Sequence, residues 1–353
     1  MYFWGVIFVW CFREKIVTLC VIFLFMRLRN FILFLFVFCV ACERYEVSDA
    51  ELLDAESWEV DFTLASGNCV VHDDTLYVLF GREEGGSAEK PSTKLRYAAM
   101  SDLANFEEED LPMGARVNGA AIVVGNKLYA GLGFRGRVYG ENSYLRDWWE
   151  YDFGLKAWRR LADFPTKDVV APIVWLDGGY IYTLYGSNEG PSGVVYRYDI
   201  EGDSWGIYSE KTEPWARYKA LGGVVGGWLY CGGVSTFDSK QYWWRYDWRR
   251  DVWQECARVP KFARFFASSV TIGDCIYLLG GRSWGGSETR EHFYETIIFY
   301  DIRTDEWLTL GRMVCGVENM IAFEYNGDLY WGLGQREDES FVKKIYRRKM
   351  NGE

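Results

Sequence analysis

Histidine is scarce in this sequence: the chain of 353 residues contains only His72 and His292. Copper and zinc sites need several clustered imidazole or thiolate ligands, so two isolated histidines predict no metal centre. The sequence also lacks a Ser nucleophile elbow, a phosphate-binding Gly loop and a dinucleotide fingerprint. We therefore expect neither a metal nor an organic cofactor, and no familiar catalytic constellation.

Cysteine pairs with zinc spacing are missing too from the chain after Cys42, where no C-x-x-C occurs. Beyond Cys42, five cysteines remain: Cys69, Cys231, Cys256, Cys275 and Cys315. This odd number and the length of the chain argue against a disulfide framework. We expect the cysteines that fall in strands to behave as small buried hydrophobic residues.

Positive charge is in deficit, with 39 Lys and Arg against 50 Asp and Glu and a net charge of −11. This balance argues against nucleic acid as a partner. Convincing helical periodicity is also absent, and proline is rare at 7 residues, whereas glycine (37) and tryptophan (17) are abundant. The composition is typical of short, twisted strands rather than helices.

An internal repeat organises the chain from residue 57 onwards. Its first anchor is an aliphatic residue followed by tyrosine, with the tyrosines 47 to 53 residues apart. The anchor tyrosines are Tyr77, Tyr129, Tyr182, Tyr230, Tyr277 and Tyr330. A second anchor is Tyr-Asp followed six residues after the Asp by Trp, as in Asp152 and Trp158. The copy from Arg116 to Leu161 predicts four strands: 120–124, 127–133, 148–152 and 157–161.

The last copy ends at Glu353 before a tryptophan, so it lacks a fourth strand. The missing strand is available at the other end, where residues 57–62 alternate like a strand and carry Trp58. We therefore expect this N-terminal strand to complete the last sheet. Such closure would remove exposed sheet edges.

This pattern resembles kelch repeats, which have a period near 50, four strands, and a glycine after the second strand. The resemblance covers about 57–353 with six copies, and it implies an all-β, six-bladed kelch-type β-propeller. It says little about function, because kelch propellers include both binding modules and enzymes.

Residues 1–42 differ from the rest and are interpreted as an export signal, with a predicted true start at Met26. Basic residues precede the apolar run 31–38, and Ala41-Cys42 resembles the end of a bacterial lipobox. Cys42 is then the lipidation site, 43–56 a tether, and the location the bacterial cell envelope, at the outer membrane or cell surface. Plain secretion and a retained anchor of one or two membrane helices remain open alternatives.

Aligned on the anchor tyrosine, three repeats carry an arginine thirteen residues earlier: Arg116, Arg217 and Arg264. A second set follows the glycine that ends the second strand: Arg82, Arg135, Arg282 and Arg336. In an antiparallel meander the first strand starts on the face where the second ends, so both sets should surround one mouth of the central channel. Arginine binds carboxylate and phosphate through a planar fork of donors. Alternatively, these arginines pair with acids of neighbouring blades and tie the ring together.

Three further residues complete the predicted mouth: Asn118 and Asn319 near the starts of first strands, and Trp284 in a loop, where it could stack on a sugar.

We expect a lipid-anchored, monomeric binding module for a glycan or a protein, with membrane contact only through the anchor. An alternative is an enzyme, because exported sialic-acid mutarotases are also six-bladed kelch propellers; Glu318, beside Arg264 or Arg116, would then be the general acid/base. A third possibility is a structural subunit of an envelope complex.

Overall fold

The computed structural model describes residues 4–13, 16–25, 34–40, 50–85, 90–135, 143–166, 169–186, 194–211, 218–234, 241–260, 264–283 and 292–350. The chain divides into two units, Met1–Asp49 and Ala50–Glu353. Within the described ranges, β-strand is the main regular secondary structure. This agrees with the missing helical periodicity in the sequence.

The first unit contains three antiparallel strands in the order β1 (Trp4–Arg13), β2 (Ile16–Phe25) and β3 (Phe34–Val40). In the ranges given above, no helix is long and apolar enough to cross a membrane. Ala41 and Cys42, which carry the predicted processing site, lie outside the described residues.

The second unit begins with β4 (Glu56–Glu59) and continues with six blades. Blade 1 contains β5 (Ala65–His72), β6 (Thr75–Glu83), the short β7 (Lys90–Pro91), β8 (Lys94–Ala99) and β9 (Glu107–Asp110). Blade 2 contains β10 (Ala120–Val124), β11 (Lys127–Gly131), β12 (Trp148–Asp152) and β13 (Ala157–Arg160). Blade 3 contains β14 (Val170–Asp177), β15 (Tyr180–Gly186), β16 (Val195–Asp199) and β17 (Ser204–Ser209).

Blade 4 contains β18 (Tyr218–Val225), β19 (Trp228–Val234), β20 (Gln241–Asp247) and β21 (Val252–Glu255). Blade 5 contains β22 (Ser268–Ile272), β23 (Cys275–Leu279), β24 (Thr296–Asp301) and β25 (Glu306–Arg312). Blade 6 contains β26 (Ile321–Tyr325), β27 (Asp328–Gly332) and β28 (Lys344–Arg348), with β4 as its fourth strand. The predicted six-bladed, all-β propeller is confirmed.

The ring closes as the sequence predicted, because β4 pairs antiparallel with β28 and places Trp58 opposite Ile345. The Trp58 ring stacks on Tyr330 at a centroid distance of 6.5 Å. The packed chain starts before the predicted boundary at residue 57: the Leu53 amide donates to the Arg312 carbonyl, and the Arg312 amide to the Glu51 carbonyl, both at 2.9 Å. The N-terminal segment of this unit therefore joins blades 5 and 6.

Among the described residues, six of the hydrophobic clusters each combine side chains from two neighbouring blades and so hold the propeller together. The anchor tyrosines of the repeat belong to these clusters. Tyr129, for example, packs with Ile181 and Tyr198 of the next blade, and Tyr330 packs with Leu76 and Val78 of blade 1. A single blade cannot bury both of its apolar faces, so the repeat is stable only as a ring.

The tryptophan of the second anchor also joins blades. The indole N–H of Trp205, Trp253 and Trp307 donates to a carbonyl of the preceding blade, at 3.1, 2.9 and 2.8 Å. The Asp of the anchor caps the turn between the third and fourth strands, as Asp152 does for the amides of Gly154 and Leu155. The spacing of this motif thus reflects a turn and an inter-blade hydrogen bond.

Candidate functional site

A set of backbone hydrogen bonds links neighbouring blades where their first strands begin. Equivalent residues in five blades have left-handed φ angles: Ser66 (60°), Asn118 (52°), Ala171 (46°), Phe266 (57°) and Asn319 (55°). In four cases the backbone N–H at this position donates to the backbone carbonyl at the same position of the preceding blade, at 2.7 to 3.0 Å. The pairs are Asn118 to Ser66, Ala171 to Asn118, Asn319 to Phe266, and Ser66 to Asn319. Asparagine tolerates this conformation better than most residues. A backbone role therefore accounts for the repeat position of Asn118 and Asn319.

Arg116 has no exposed surface. Its guanidinium donates to both carboxylate oxygens of Asp147 at 3.0 and 2.7 Å, and to the carbonyls of Leu132 and Gly114. Burial alone would raise the pKa of Asp147, but the hydrogen bonds and charge of Arg116, with the Trp149 indole, hold that pKa below its ordinary value. The prediction that Arg116 binds a ligand is wrong, because the residue ties two segments of blade 2 together.

Arg264 takes the same position in blade 5 and is only 6% exposed. It donates to the carbonyls of Gly280 and Thr296 at 3.1 and 2.8 Å, and to the Thr296 hydroxyl. Its guanidinium also lies over the Tyr294 ring at 4.4 Å. Gly280 and Leu132 are equivalent, since each precedes the glycine after the second strand. Arg264 is therefore also structural. The described guanidinium hydrogen bonds of Arg116 and Arg264 lie within their own blades, whereas the alternative interpretation expected acids of neighbouring blades.

Two arginines of the second set converge on blade 6. Arg82, at the end of β6 in blade 1, donates from Nη2 to Oε1 of Gln335. Arg282, after β23 in blade 5, places Nε 3.1 Å from Oε2 of Glu318. Glu318 and Gln335 face each other in an antiparallel bridge, with N–O distances of 2.9 and 3.0 Å. Blades 5 and 1 thus each extend one arginine to the same pair of residues in blade 6.

The backbone and rings around these side chains are well fixed. Arg282 exchanges two 2.8 Å hydrogen bonds with the Phe265 backbone. Its guanidinium carbon lies 5.0 Å from the Phe266 ring centroid and 5.9 Å from that of Phe293. The Glu318 side chain is 7% exposed, against 23% for Arg282. A partly exposed arginine beside a nearly buried carboxylate, both on rigid backbone, is an arrangement suited to binding.

Two of the remaining predicted arginines are described by the structure, and neither joins this group. Arg135 is exposed in the loop after β11, and Arg336 donates to the Ser340 hydroxyl at 3.5 Å. Arg217 and Trp284 lie outside the described residues. Glu318 was placed beside Arg264 or Arg116, and its arginine is instead Arg282. We call Arg82, Arg282, Glu318 and Gln335 the blade 6 cluster.

Gln335 was missed by the sequence reasoning, although a signal for it exists. In blades 2, 5 and 6 the residue after the second-strand glycine bridges the residue that precedes the left-handed position: Phe134 with Val117, Arg282 with Phe265, and Gln335 with Glu318. Aligning this bridge position shows that, of these three bridges, the one in blade 6 carries two polar side chains. A search for repeated arginines alone could not find an amide partner.

The blade 6 cluster offers two guanidinium groups, one carboxylate and one amide. Within the described part of the chain, no group of three or more His, Cys, Asp or Glu is arranged to hold a metal ion. The guanidinium groups suit a ligand carboxylate, and Glu318 could exchange a proton with a ligand hydroxyl.

Comparisons with known proteins agree with this architecture. The Kelch motif matches residues 263–314. The chain is 32% identical over 129 residues to the N-acetylneuraminate epimerase of Vibrio cholerae, covering 32% of each protein. It is 27% identical over 244 residues to Kelch domain-containing protein 3 of Rattus norvegicus, covering 61% of this chain and 63% of that protein. The chain thus matches about a third of the length of the epimerase.

A solved structure titled "Structure of YjhT" superimposes with a TM-score of 0.65 at 13% identity, covering 82% of this chain and 96% of that one. This likeness shows the fold. Together with the repeat, the six blades and the Kelch motif match, it defines the class: the chain is a six-bladed β-propeller built of kelch repeats.

Proposed function

We propose that this propeller binds an acidic sugar of the N-acetylneuraminate class at the blade 6 cluster. The observation that carries the proposal is the convergence of Arg82 and Arg282 from two blades on Glu318 and Gln335. The local similarity to an N-acetylneuraminate epimerase supports this choice of ligand. A glycan-binding role also fits the expectation from the sequence.

A ligand carboxylate would compete with Glu318 for Arg282. The Arg282 side chain is three times as exposed as Glu318, at 23% against 7%, so it is the accessible member of the pair. Arg82 has the neutral amide of Gln335 as a hydrogen-bond partner, and exchange of an amide for a carboxylate strengthens a guanidinium hydrogen bond. A sugar carboxylate in place of the Gln335 amide therefore strengthens this hydrogen bond of Arg82, and Arg282 exchanges the Glu318 carboxylate for that of the sugar.

A second candidate function is mutarotation of the same sugar, with Glu318 as the general acid/base. The displaced carboxylate would take the proton of the anomeric hydroxyl while the bond from the anomeric carbon to the ring oxygen breaks. Returning that proton to the ring oxygen gives the open-chain keto acid, which recloses on the other face of its carbonyl. The reaction needs no cofactor, and the similarity to the epimerase favours it.

Replacement of Glu318 by Gln separates binding from catalysis. In Glu318→Gln, N-acetylneuraminate should bind at least as tightly as in the wild type, because a competing carboxylate is removed from Arg282. Anomer exchange should slow by about 10²- to 10⁴-fold, the usual contribution of a general acid/base. Titration calorimetry measures the affinity, and NMR exchange between the α and β anomers measures the rate.

The matched control is Glu337→Gln, an exposed carboxylate near the same strand end, which should change neither quantity. Unaltered anomer exchange in Glu318→Gln would rule out the second function and leave the binding proposal standing. Absence of sugar binding, together with co-purification of a protein partner, would instead favour a protein-binding or structural role in an envelope complex.

We also propose that the propeller is anchored in the bacterial cell envelope through a lipid on Cys42. The basis is the sequence Ala41-Cys42 after the apolar run 31–38. Cys42→Ala should release the protein from the membrane fraction or leave an uncleaved precursor, as mass spectrometry and fractionation will show. Identical mass and membrane association in the variant would refute the anchor.

A further inference from the structure

A cavity of about 400 Å³ opens between blade 6 and blade 1. Its walls come from the segment that joins β4 to β5, the end of β6, the strands β8 and β9, and the residue before β28. The lining residues are Asp61, Phe62, Thr63, Glu83, Glu84, Arg96, Phe106, Glu108 and Lys343. This volume is in the range of small-molecule sites.

Arg96 forms the floor of the cavity and is already fully engaged. Its guanidinium lies 2.8 Å from Glu83, 3.3 Å from Glu108 and 3.2 Å from the Ser92 hydroxyl. It also covers the face of the Phe62 ring at 4.6 Å. Because two carboxylates share this one cation, Arg96 cannot take the carboxylate of a ligand without losing one of these partners. The floor is therefore a fixed structural element.

The accessible polar groups of the cavity are acceptors. Asp61 is exposed and has no ion pair among the described residues. Among the described residues, the ionic contact of Glu84 is a long one, 3.9 Å to Lys343, and both side chains are about half exposed. The Thr63 hydroxyl accepts a hydrogen bond of 2.8 Å from the Glu84 backbone N–H, which fixes the backbone beside the Glu84 carboxylate. A ligand must therefore supply donors to Asp61 and Glu84.

The net charge of the cavity lining favours a ligand of positive charge. Four carboxylates (Asp61, Glu83, Glu84, Glu108) face two cations (Arg96, Lys343), which leaves a net charge of −2. No group of acids in the described chain is arranged for a metal ion, so the complementary ligand is organic. The Phe106 ring, packed edge-on against Phe62 at 5.0 Å, adds an apolar wall of the kind that sugar rings cover.

We infer that this inter-blade cavity binds a small sugar that carries a free amine, a hexosamine, with its ammonium group between Asp61 and Glu84. The inference stands on the cavity itself and does not depend on the acidic-sugar site. The two sites differ in charge: arginines converge at the blade 6 cluster, whereas carboxylates outnumber cations in the cavity lining. The propeller thus offers one place for an acidic sugar and another for an amino sugar.

Ligand-observed NMR with glucosamine tests the inference on the full chain. Glucosamine should bind saturably, and N-acetylglucosamine, which has the same ring without the charge, should bind at least about tenfold more weakly, since a charge-assisted hydrogen bond is lost. Glu84→Gln and Asp61→Asn should each weaken glucosamine binding by about tenfold for the same reason. Both positions are exposed, so these variants are expected to fold.

The matched control is Glu59→Gln, an exposed β4 carboxylate paired with Lys344 outside the cavity, which should bind glucosamine like the wild type. Lack of saturable glucosamine binding by the wild type would overturn the inference. So would equal affinity for N-acetylglucosamine, or unchanged affinity in both cavity variants. Persisting glucosamine binding in a protein that binds no N-acetylneuraminate would uphold it while the proposed function fails.

Discussion

Arg116→Met should destabilise the propeller by about 3–5 kcal/mol, the cost of removing one partner from a buried ion pair. Arg116 is fully buried, and its loss leaves the Asp147 carboxylate with the Trp149 indole as its remaining side-chain donor. The carbonyls of Leu132 and Gly114 also lose a donor. Chemical denaturation measures the free energy of unfolding.

The control is Arg135→Met, an exposed arginine of the second set, which should change stability by less than about 0.5 kcal/mol. Adding Asp147→Leu to Arg116→Met should recover part of the loss, because the double replacement removes the unpaired buried charge. A stability loss no larger than that of Arg135→Met would contradict the structural role of Arg116.

The pH dependence of this effect has a definite sign. The folded-state pKa of Asp147 is lowered, so its ion pair contributes stability above the unfolded pKa near 4 and loses it as pH falls through the folded value. The difference in stability between wild type and Arg116→Met should therefore be largest above about pH 4 and shrink in stronger acid.

A chain that starts at Val60 should be much less stable than one that starts at Ala50. The shorter chain lacks β4, which pairs with β28, and the Leu53 contact with blade 5. Burial of Leu53 and Trp58 together contributes roughly 3–6 kcal/mol, and the exposed edge of β28 also becomes open to aggregation. Thermal unfolding and size-exclusion chromatography compare the two chains.

Neighbouring leucines provide a point-mutation control for the same closure. Leu53 is 8% exposed and Leu52 is 52% exposed, so Leu53→Ala should cost about 2–5 kcal/mol and Leu52→Ala little. Equal melting temperatures for the chains that start at Ala50 and Val60 would refute closure by this segment.

The fold could be predicted from the sequence because its repeat is a packing requirement. Each anchor tyrosine serves a cluster between two blades, and the anchor tryptophans Trp205, Trp253 and Trp307 donate hydrogen bonds to a preceding blade, so both residue types recur at fixed spacing. The missing fourth strand of the last copy likewise predicted β4, since an unpaired edge needs a partner.

The candidate site was harder to predict, because spacing does not reveal burial. Arg116 and Arg264 recur for a structural reason: each donates to the carbonyl before the glycine that follows a second strand. Arg82, Arg282, Glu318 and Gln335 belong to three blades and are brought together by the curvature of the ring. A pattern within one repeat cannot predict a contact between residues of three blades.

Titration of the wild-type protein and of Arg282→Ala with N-acetylneuraminate tests the acidic-sugar site most directly. We expect saturable binding to the wild type, weaker binding at high salt, and an affinity reduced about tenfold or more in Arg282→Ala. Folding should be retained in the variant, because Arg282 is partly exposed. Absence of binding to the wild type, or equal affinity in Arg282→Ala, would contradict the assignment of an acidic-sugar site to the blade 6 cluster.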